Sequence, residues 1–205
     1  EVKSEYVGVK ISDYFKKPEV RVNTQIRAAE ILHEKFRFPE KKALVANEMS
    51  YVCASVLGAR IAYFDEHEPR IADTVMKDLS QVEQMKVPDI KSAGLIPEIL
   101  EMYEYMKKKA EGTNMSVSMG VGVQGPMTTA VLLRGQSFFQ DLYDEPKICH
   151  KLLNVITDTA IAIMYFIGKA IGVTYRSIGI GDDYAGLLSP SMYEEFNIPY
   201  LKRIY

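Results

Sequence analysis

Two adjacent carboxylates stand where this sequence predicts the end of a buried strand. The apolar and glycine-rich run over residues 177–181 is typical of such a strand, and Asp182 and Asp183 follow it directly. Successive strand residues point to opposite faces, so only one of these acids can face a ligand, while the other suits a helix cap or a pairing with Arg176. A carboxylate in a cleft can act as an acid, a base or a cation ligand. The alternative is that both acids merely cap the next turn.

Polar side chains end two further predicted strands. Asn47–Glu48 follows a short apolar run, and Gln124 follows a glycine-rich one. The carboxyl ends of parallel strands lie at one edge of a sheet, where α/β proteins bind ligands, so we expect these residues to line a site. Thr128 would add a neutral hydrogen-bonding group and Met127 a soft apolar wall. The alternative is that Gly125–Pro126 only turns the chain.

The glycines at positions 120, 122 and 125 match the G-x-G-x-x-G fingerprint of dinucleotide-binding proteins. In those proteins the glycines lie in the turn after the first strand, and an acid follows about 20 residues later. Here most of the match falls inside a predicted strand, Pro126 follows it, and the acid is missing, so nucleotide binding is disfavoured. The histidines and cysteines also lack a metal-ligand spacing, so we expect no metal site in this chain.

Helix and strand patterns alternate along the chain, which is typical of an α/β protein with a parallel sheet. Strands are predicted over 43–46, 60–64, 115–123 and 177–181. Helices are predicted over 20–36, 49–57, 71–85, 97–111, 128–134, 145–171 (capped by Asp144) and from Ser189–Pro190 onward. A complete (β/α)8 barrel takes about 250 residues. The 205 residues here therefore fit either an incomplete barrel or an open sheet.

The composition disfavours several classes of function. A formal net charge of −2 argues against a nucleic-acid partner, which needs clustered Lys and Arg. Two cysteines do not make a disulfide framework. The chain opens on a polar stretch rather than a signal peptide, and its most apolar stretch, residues 160–170, is too short to span a bilayer and contains Lys169. We therefore expect a cytoplasmic protein with no membrane partner.

Several stretches together resemble the uroporphyrinogen decarboxylase superfamily. They are VCASVLGARIAYF at 52–64, VPD at 87–89, GVGVQGPMTTAVLLRG at 120–135, FFQDLYDEPKICHKLLNVITD at 138–158 and GIGDDYAGLLSPSMYEEFNIPYLKRI at 179–204. The resemblance implies an α/β protein of the (β/α)8 TIM-barrel type, present here as an incomplete, amino-terminal part of the barrel. It implies a single domain over residues 1–205, with about the first 20 residues as an extension.

The superfamily has a decarboxylase branch and a cobalamin-dependent methyltransferase branch. Decarboxylases carry an arginine-rich amino-terminal segment and an aspartate after the first barrel strand, a position that the resemblance gives to Asn47 here. Their Ser-His pair before Ala-Gly is replaced by Asp183–Tyr184, and a tyrosine is replaced by an aliphatic residue near Leu132. The resemblance is therefore closer to methyltransferases of the methylcobamide:thiol type. It implies that Asp183, rather than Asp182, faces the substrate funnel, with Tyr184 beside it.

The implied reaction moves a methyl group between a methylated corrinoid protein and a thiol or tetrahydrofolate acceptor. The corrinoid (cobalamin) would come with that partner protein. Zinc, which would activate the thiol, would be bound by a His-x-Cys pair and a later cysteine beyond Tyr205. Open strand edges also predict a homo-oligomer. The alternatives are a divergent decarboxylase acting on a porphyrinogen and a non-catalytic module that binds a corrinoid or another protein.

Overall fold

The structure, a computed structural model, describes residues 8–39, 43–175 and 178–205 of the chain. Contacts within the chain divide it into two units. The first unit draws on Glu1–Met49, Ile61–Arg70 and Glu98–Gly120, and the second on Ser50–Arg60, Ile71–Pro97 and Val121–Tyr205. Both units bury apolar side chains of their own.

Nine helices and four short strands lie in the described ranges. The helices are α1 (Ile11–Lys16), α2 (Pro18–Phe36), α3 (Val52–Val56), α4 (Ile96–Ala110), α5 (Pro126–Arg134), α6 (Ser137–Asp144), α7 (Pro146–Ile171), α8 (Pro190–Phe196) and α9 (Ile198–Ile204). The strands are β1 (Ala43–Val45), β2 (Ile61–Ala62), β3 (Arg70–Ile71) and β4 (Ser116–Ser118). Two 3-10 helices cover Leu79–Gln84 and Asp183–Leu187.

Strands β1 and β4 form a parallel pair in the first unit, with Leu44 opposite Val117. Parallel neighbours need a crossover of about a dozen residues or more, and helix α4 lies in the chain between them. Helix α2 packs on β1. It begins with Pro18, whose missing N–H is harmless in a first turn, and ends where Arg37 adopts a left-handed φ of 58°. These short parallel strands, separated by helices, agree with the predicted barrel type.

The side chain of Gln25 takes the place of a neighbouring strand beside β1. Its Nε2 donates to the carbonyl of Val45 at 2.9 Å, and its Oε1 accepts from the Val45 N–H at 2.8 Å. Because Gln25 is buried, these bonds satisfy strand groups that water reaches poorly. Gln25 therefore ties helix α2 to the strand that ends at Asn47.

Helix α7 is the central core element of the second unit. Its buried face includes Cys149, Leu152, Ile156 and Ile163, and it contacts helices α3, α5, α6 and α9. In length and mean hydropathy (1.3 over its most apolar stretch) it could also cross a membrane, alone among the helices that the structure describes. Half of that stretch is buried inside the protein, as expected of a core helix.

The helices with clear end signals are confirmed, and several other elements differ from the prediction. Gly172 ends α7 with a φ of 70°, and Ser189 caps α8 by accepting from the Met192 N–H. Residues 178–181 are not in a strand, while position 177 of that predicted strand lies outside the described residues. The helix predicted over 71–85 is only a 3-10 helix over Leu79–Gln84, and the Asp78 capping box satisfies the backbone groups at its start.

The predicted helix cap by Asp144 is wrong. Asp144 ends helix α6, an element absent from the sequence-based prediction, and accepts a hydrogen bond from Gln140. Glu145 occupies the N-cap position of α7 without a side-chain cap. The two helices separate here because Pro146 has no N–H to continue the first but suits the start of the second.

The tie between Gln25 and β1 can be tested by Gln25→Leu, which keeps the side chain's bulk and removes both hydrogen bonds to Val45 together with the one to the Tyr14 hydroxyl. Val45 would lose two partly buried partners, so the free energy of unfolding should fall by about 2 kcal/mol. Asn23→Leu, on the exposed side of the same helix, should change it by less than about 0.5 kcal/mol. Urea denaturation followed by circular dichroism measures both; equal effects of the two changes would contradict the assigned role.

Candidate functional site

The start of helix α5 organises the candidate site in the second unit. Gly125 holds the N-cap position but has no side chain, so the helix cannot cap itself there. Asp182 supplies the missing group from a distant part of the sequence: its Oδ1 accepts from the Thr128 N–H at 2.7 Å. Thr128 is the third residue of the helix, where a capping oxygen normally binds. This confirms the helix-capping role expected for Asp182.

The chain around Asp182 is held to the same helix start by two more hydrogen bonds. The Gly125 N–H donates to the carbonyl of Gly181 at 2.9 Å, and the Tyr184 N–H donates to Thr128 Oγ1 at 3.2 Å. Residues 181, 182 and 184 are thus each hydrogen-bonded to the first turn of α5 or to its N-cap residue. The position of Asp183 is set by this arrangement because both of its sequence neighbours are fixed.

Burial raises the pKa of the Asp182 carboxyl, and hydrogen bonds from the backbone of Thr128 and Met127 oppose that rise. Asn197, which is completely buried, also favours the charged form. Asp182 Oδ2 and both amide atoms of Asn197 nevertheless lack a well-formed hydrogen bond to any described residue. A proton on Oδ2 would supply a donor for Asn197 Oδ1, which is consistent with the raised pKa. No sequence pattern pointed to Asn197.

The two adjacent acids have different surroundings, although strand alternation does not separate them, because residues 178–181 are not in a strand and Asp183 begins a 3-10 helix. Asp182 is turned toward α5, while Asp183 is exposed and forms no hydrogen bond or ion pair with the residues that the structure describes. Tyr184 is partly buried, and its ring lies 6.3 Å from that of Phe139. Asp183 and Tyr184 therefore offer a carboxylate and a phenol next to a fixed helix start. Their role toward a ligand stays a prediction.

The other predicted site residues of this unit are more enclosed. Met127 is 0% exposed and Thr128 is 2% exposed, so both side chains pack inside the unit. Gln124 is partly buried; its backbone carbonyl accepts from Thr129 Oγ1, and its side-chain Oε1 has no hydrogen-bond partner among the described groups. The structure thus brings Thr128 and Tyr184 together through a hydrogen bond. Ligand contacts by Gln124, Met127 and Thr128 stay predictions.

The arrangement at α5 also bears on the glycine fingerprint. A dinucleotide-binding helix offers the N–H groups of its first turn to a pyrophosphate. Here the carboxylate of Asp182 occupies that position, and a Cβ at Gly125 would lie 2.1 Å from the Asp182 Cγ. The glycine at 125 is therefore explained by the close approach of Asp182. The dinucleotide interpretation is not supported by this geometry.

In the first unit, Asn47 uses its side chain on the backbone around the end of β1. Its Nδ2 donates to the carbonyls of Gly120 at 3.0 Å and Met49 at 3.3 Å, and its Oδ1 accepts from the Met49 N–H at 3.0 Å. Asn47 is 3% exposed. These bonds fix the chain at the end of β1. A ligand contact by Asn47 stays a prediction. Asn47 belongs to the first unit, whereas the other predicted site residues belong to the second.

The neighbouring Glu48, the second residue of the polar pair predicted at this strand end, has a side chain with two partners from other elements. Its Oε2 accepts a short hydrogen bond from the Tyr14 hydroxyl and lies 3.5 Å from Arg21 Nη2. Arg21 is 2% exposed, and its guanidinium lies 5.0 Å from the ring centre of Tyr14. Gln25 Nε2 donates to the Tyr14 hydroxyl at 3.0 Å. The strand end therefore does carry a carboxylate, held by a phenol and a buried cation.

Tyr14 stays protonated in this network. Its burial raises its pKa, and the negative charge of Glu48 raises it further. The neutral phenol is therefore the donor in its hydrogen bond to the Glu48 carboxylate. Tyr14 and Arg21 both face Glu48, although they come from different helices, so the carboxylate has a defined position.

The described residues do not fit a zinc site. Zinc requires deprotonated cysteine or neutral histidine ligands in a tetrahedral cluster. Burial raises the pKa of both Cys53 and Cys149 to about 12, so both thiols are protonated. No group of three or more His, Cys, Asp or Glu side chains in the described ranges lies close enough to hold a metal ion.

Comparison with known proteins defines the class of this chain. The structure of a methyltransferase from Methanosarcina mazei superposes on 98% of the chain with a TM-score of 0.71, at 23% sequence identity, and the chain covers 57% of that protein. The fold is therefore that of the (β/α)8 barrel, present as an incomplete barrel. A sequence model described as "Uroporphyrinogen decarboxylase (URO-D)" matches residues 2–205. The chain belongs to the URO-D family.

Curated relatives of the chain agree with this assignment. The protein named uroporphyrinogen decarboxylase from Xylella fastidiosa is 24% identical over 176 residues, and the one from Xanthomonas axonopodis pv. citri is 26% identical over 176 residues. Each alignment covers 82% of this chain and 47% of the relative. The chain therefore spans about half the length of the curated relatives that it matches.

The close approach of Asp182 to α5 predicts a cost for Gly125→Ala. The added methyl group would overlap the Asp182 side chain, so either the carboxylate or the helix start must shift, at about 1–3 kcal/mol of unfolding free energy. Gly186→Ala is the matched control, because nothing lies within 4 Å of a Cβ at that exposed glycine. Thermal and urea unfolding of both variants measure the difference. A Gly125→Ala variant as stable as Gly186→Ala would contradict the capping geometry.

Proposed function

We propose that this chain is part of a cytoplasmic methyltransferase that moves a methyl group between a methylated corrinoid protein and a thiol or tetrahydrofolate acceptor. The observation that carries the proposal is the placement of Asp183–Tyr184. This pair stands where the family resemblance gives decarboxylases a Ser-His pair, on a segment fixed against the start of α5. The likeness in fold to a methyltransferase over nearly the whole chain supports the same branch.

In this proposal Asp183 and Tyr184 bind and orient the methyl acceptor. An exposed carboxylate accepts hydrogen bonds from N–H or S–H groups, and a phenol can both donate and accept. Their backbone is held by Thr128 and by the neighbouring Asp182, so neither group has to be ordered when the acceptor binds. Precise positioning of the acceptor is the contribution that we assign to this chain.

The corrinoid would be carried by the partner protein, and it supplies the methyl group attached to cobalt. The zinc expected for thiol activation has no matching ligands among the described residues, so no step of this proposal passes through a metal held by them. What the second unit offers instead is a carboxylate and a phenol on a backbone segment that is hydrogen-bonded to the start of α5.

A second candidate function, decarboxylation of a porphyrinogen, is favoured by Glu48. The sequence argument against it relied in part on Asn47, which cannot supply a negative charge near the pyrrole nitrogens, and in part on the other departures from the decarboxylase pattern. Glu48 supplies one at the same strand end, held by Tyr14 and Arg21. The names of the curated relatives point the same way. The two reactions therefore need to be assayed side by side.

The assay uses the longest natural form of the chain and two substrates. Methylcobalamin with either 2-mercaptoethanol or tetrahydrofolate tests methyl transfer through the absorbance of the methyl–cobalt bond under anaerobic conditions. Uroporphyrinogen tests decarboxylation through the appearance of coproporphyrinogen. We expect methyl transfer and no coproporphyrinogen. Coproporphyrinogen that disappears in Glu48→Gln would establish the second function, and inactivity in both assays would favour a binding module.

Asp183→Asn should impair methyl transfer without changing stability. A hydrogen bond to a charged group contributes about 1.5–3 kcal/mol, so its loss should lower kcat/KM by roughly tenfold to a hundredfold. Glu101→Gln, a similar change at an exposed position on helix α4, should leave the rate unchanged. Steady-state rates and melting curves are needed for both variants. Normal activity in Asp183→Asn would exclude Asp183 from the site.

A further inference from the structure

The side chain of Asn197 is buried at the junction of helices α8 and α9 without a use in either helix. Asn197 is 0% exposed, and its backbone N–H and carbonyl take part in hydrogen bonds of the two helices. It occupies the N-cap position of α9, where an asparagine side chain usually accepts from the first turn, but it makes no such bond. Neither of its amide atoms forms a well-formed hydrogen bond with a residue that the structure describes. A buried amide is costly without a partner, so this one is expected to serve a group outside the two helices.

Asp182 provides the matching group. Its Oδ1 accepts from the Thr128 N–H at 2.7 Å, while its Oδ2 is buried and lacks a well-formed hydrogen bond to the described residues. The amide of Asn197 lies close enough to favour the charged form of this carboxyl. A turn of the amide about its last side-chain bond can bring Nδ2–H to Oδ2, and it leaves the backbone of both helices in place. Two unsatisfied buried groups would thereby satisfy each other.

The backbone at Asn197 is fixed by the residues on either side of it. The ring of Phe196 stacks on the His150 ring of helix α7, with 4.5 Å between the ring centres and 17° between their planes. The Tyr200 hydroxyl lies 2.6 Å from His150 Nδ1. Phe196 and Tyr200 are themselves buried. Helix α7 thus holds the junction from both sides, so the amide of Asn197 starts from a defined position.

We propose that Asn197 is a positioning residue of the candidate site, whose amide holds the second oxygen of the Asp182 carboxyl. With Oδ1 bonded to Thr128 and Oδ2 to Asn197, the carboxyl cannot rotate. The chain that leads from it into residues 183–184 is then fixed as well. An amide suits both charge states, because Nδ2 donates to a carboxylate and Oδ1 accepts from a protonated carboxyl. The inference rests on the proposed function, since in it Asn197 touches no ligand and affects methyl transfer only through Asp182.

The first measurement needs no substitution. Nuclear magnetic resonance of the full chain follows the side-chain amide protons of Asn197 and the carboxyl carbon of Asp182 against pH. Because protonation of Oδ2 reverses the hydrogen bond between the two groups, we expect both signals to change with one midpoint. Asn197 amide signals that stay constant across the Asp182 titration would overturn the proposal.

A matched pair of variants separates the polar contact from the packing. Valine and threonine have nearly the same shape, but only threonine carries a hydroxyl that can donate and accept. In Asn197→Val we expect the Asp182 midpoint to rise, because the amide favours the charged form, and the Thr128 amide to exchange with solvent about tenfold faster. Asn197→Thr should stay closer to the unmodified chain in both measurements. Thr157→Val, which removes another buried hydrogen-bonding group, should change neither.

Two further readouts show whether Asn197 acts through Asp182. Added to Asp182→Ala, the Asn197→Val change should move the amide signals of residues 183–184 far less than it does alone, because the two substitutions remove one contact. In the longest natural form of the chain, Asn197→Val should lower kcat/KM for methyl transfer about tenfold, and Asn197→Thr should recover most of that loss.

Two outcomes with the variants would overturn the proposal. One is equal behaviour of Asn197→Val and Asn197→Thr, and the other is an effect of Asn197→Val that simply adds to that of Asp182→Ala. Circular dichroism confirms that each variant is folded, and the titration of the unmodified chain decides the question where a variant is not. If the unmodified chain transfers no methyl group, the proposed function fails, whereas the resonance measurements still decide whether Asn197 holds Asp182.

Discussion

The candidate site of the second unit depends on one interaction, the contact between the Asp182 carboxylate and the start of helix α5. A helix start exposes N–H groups that need acceptors, and Gly125 cannot provide one. Asp182 provides it through the Thr128 N–H and fixes the chain just before Asp183. The same contact explains why position 125 is a glycine, because a larger residue would overlap the carboxylate. One capping hydrogen bond therefore positions the residues that we assign to ligand binding.

In the first unit, a network of hydrogen bonds and an ion pair fixes the end of β1. There a carboxylate, Glu48, accepts from Tyr14 and lies near the buried cation Arg21, and Gln25 connects Tyr14 to the strand itself. Removing water from a charge is costly unless its partners are already in place, so such networks define the position of a group more than they stabilise the fold. The network is the reason why porphyrinogen decarboxylation deserves an assay beside methyl transfer.

Local signals in the sequence predicted the elements whose ends are marked by proline or glycine, such as α4, α5 and α7. The expected helix cap by Asp182 is confirmed, although the prediction assumed an extended strand that residues 178–181 do not form, and the role of Asp183 stays a prediction. The contacts of Glu48 with Tyr14 and of Asp182 with Asn197 join residues far apart in the sequence, so no local pattern could reveal them. Helix α6 was not predicted because it is short and lies between Gly135, which ends one helix, and Pro146, which begins the next. Its residues therefore looked like the connection between those two helices.

The central claim, that Asp182 is a buried structural cap and leaves Asp183 for the ligand, is tested most directly by nuclear magnetic resonance. Carbon shifts of the Asp182 carboxyl, assigned by comparison with Asp182→Asn, are followed against pH together with the amide of Thr128. The account predicts a midpoint above the ordinary value of 3.8 and a Thr128 amide shift with the same midpoint. A raised pKa in the folded state means that the stabilisation from this group is fully present below the pKa of the unfolded chain and is lost as the pH rises through the folded-state pKa. A midpoint at or below the ordinary value, or a Thr128 amide shift that does not change with pH around that midpoint, would contradict the account.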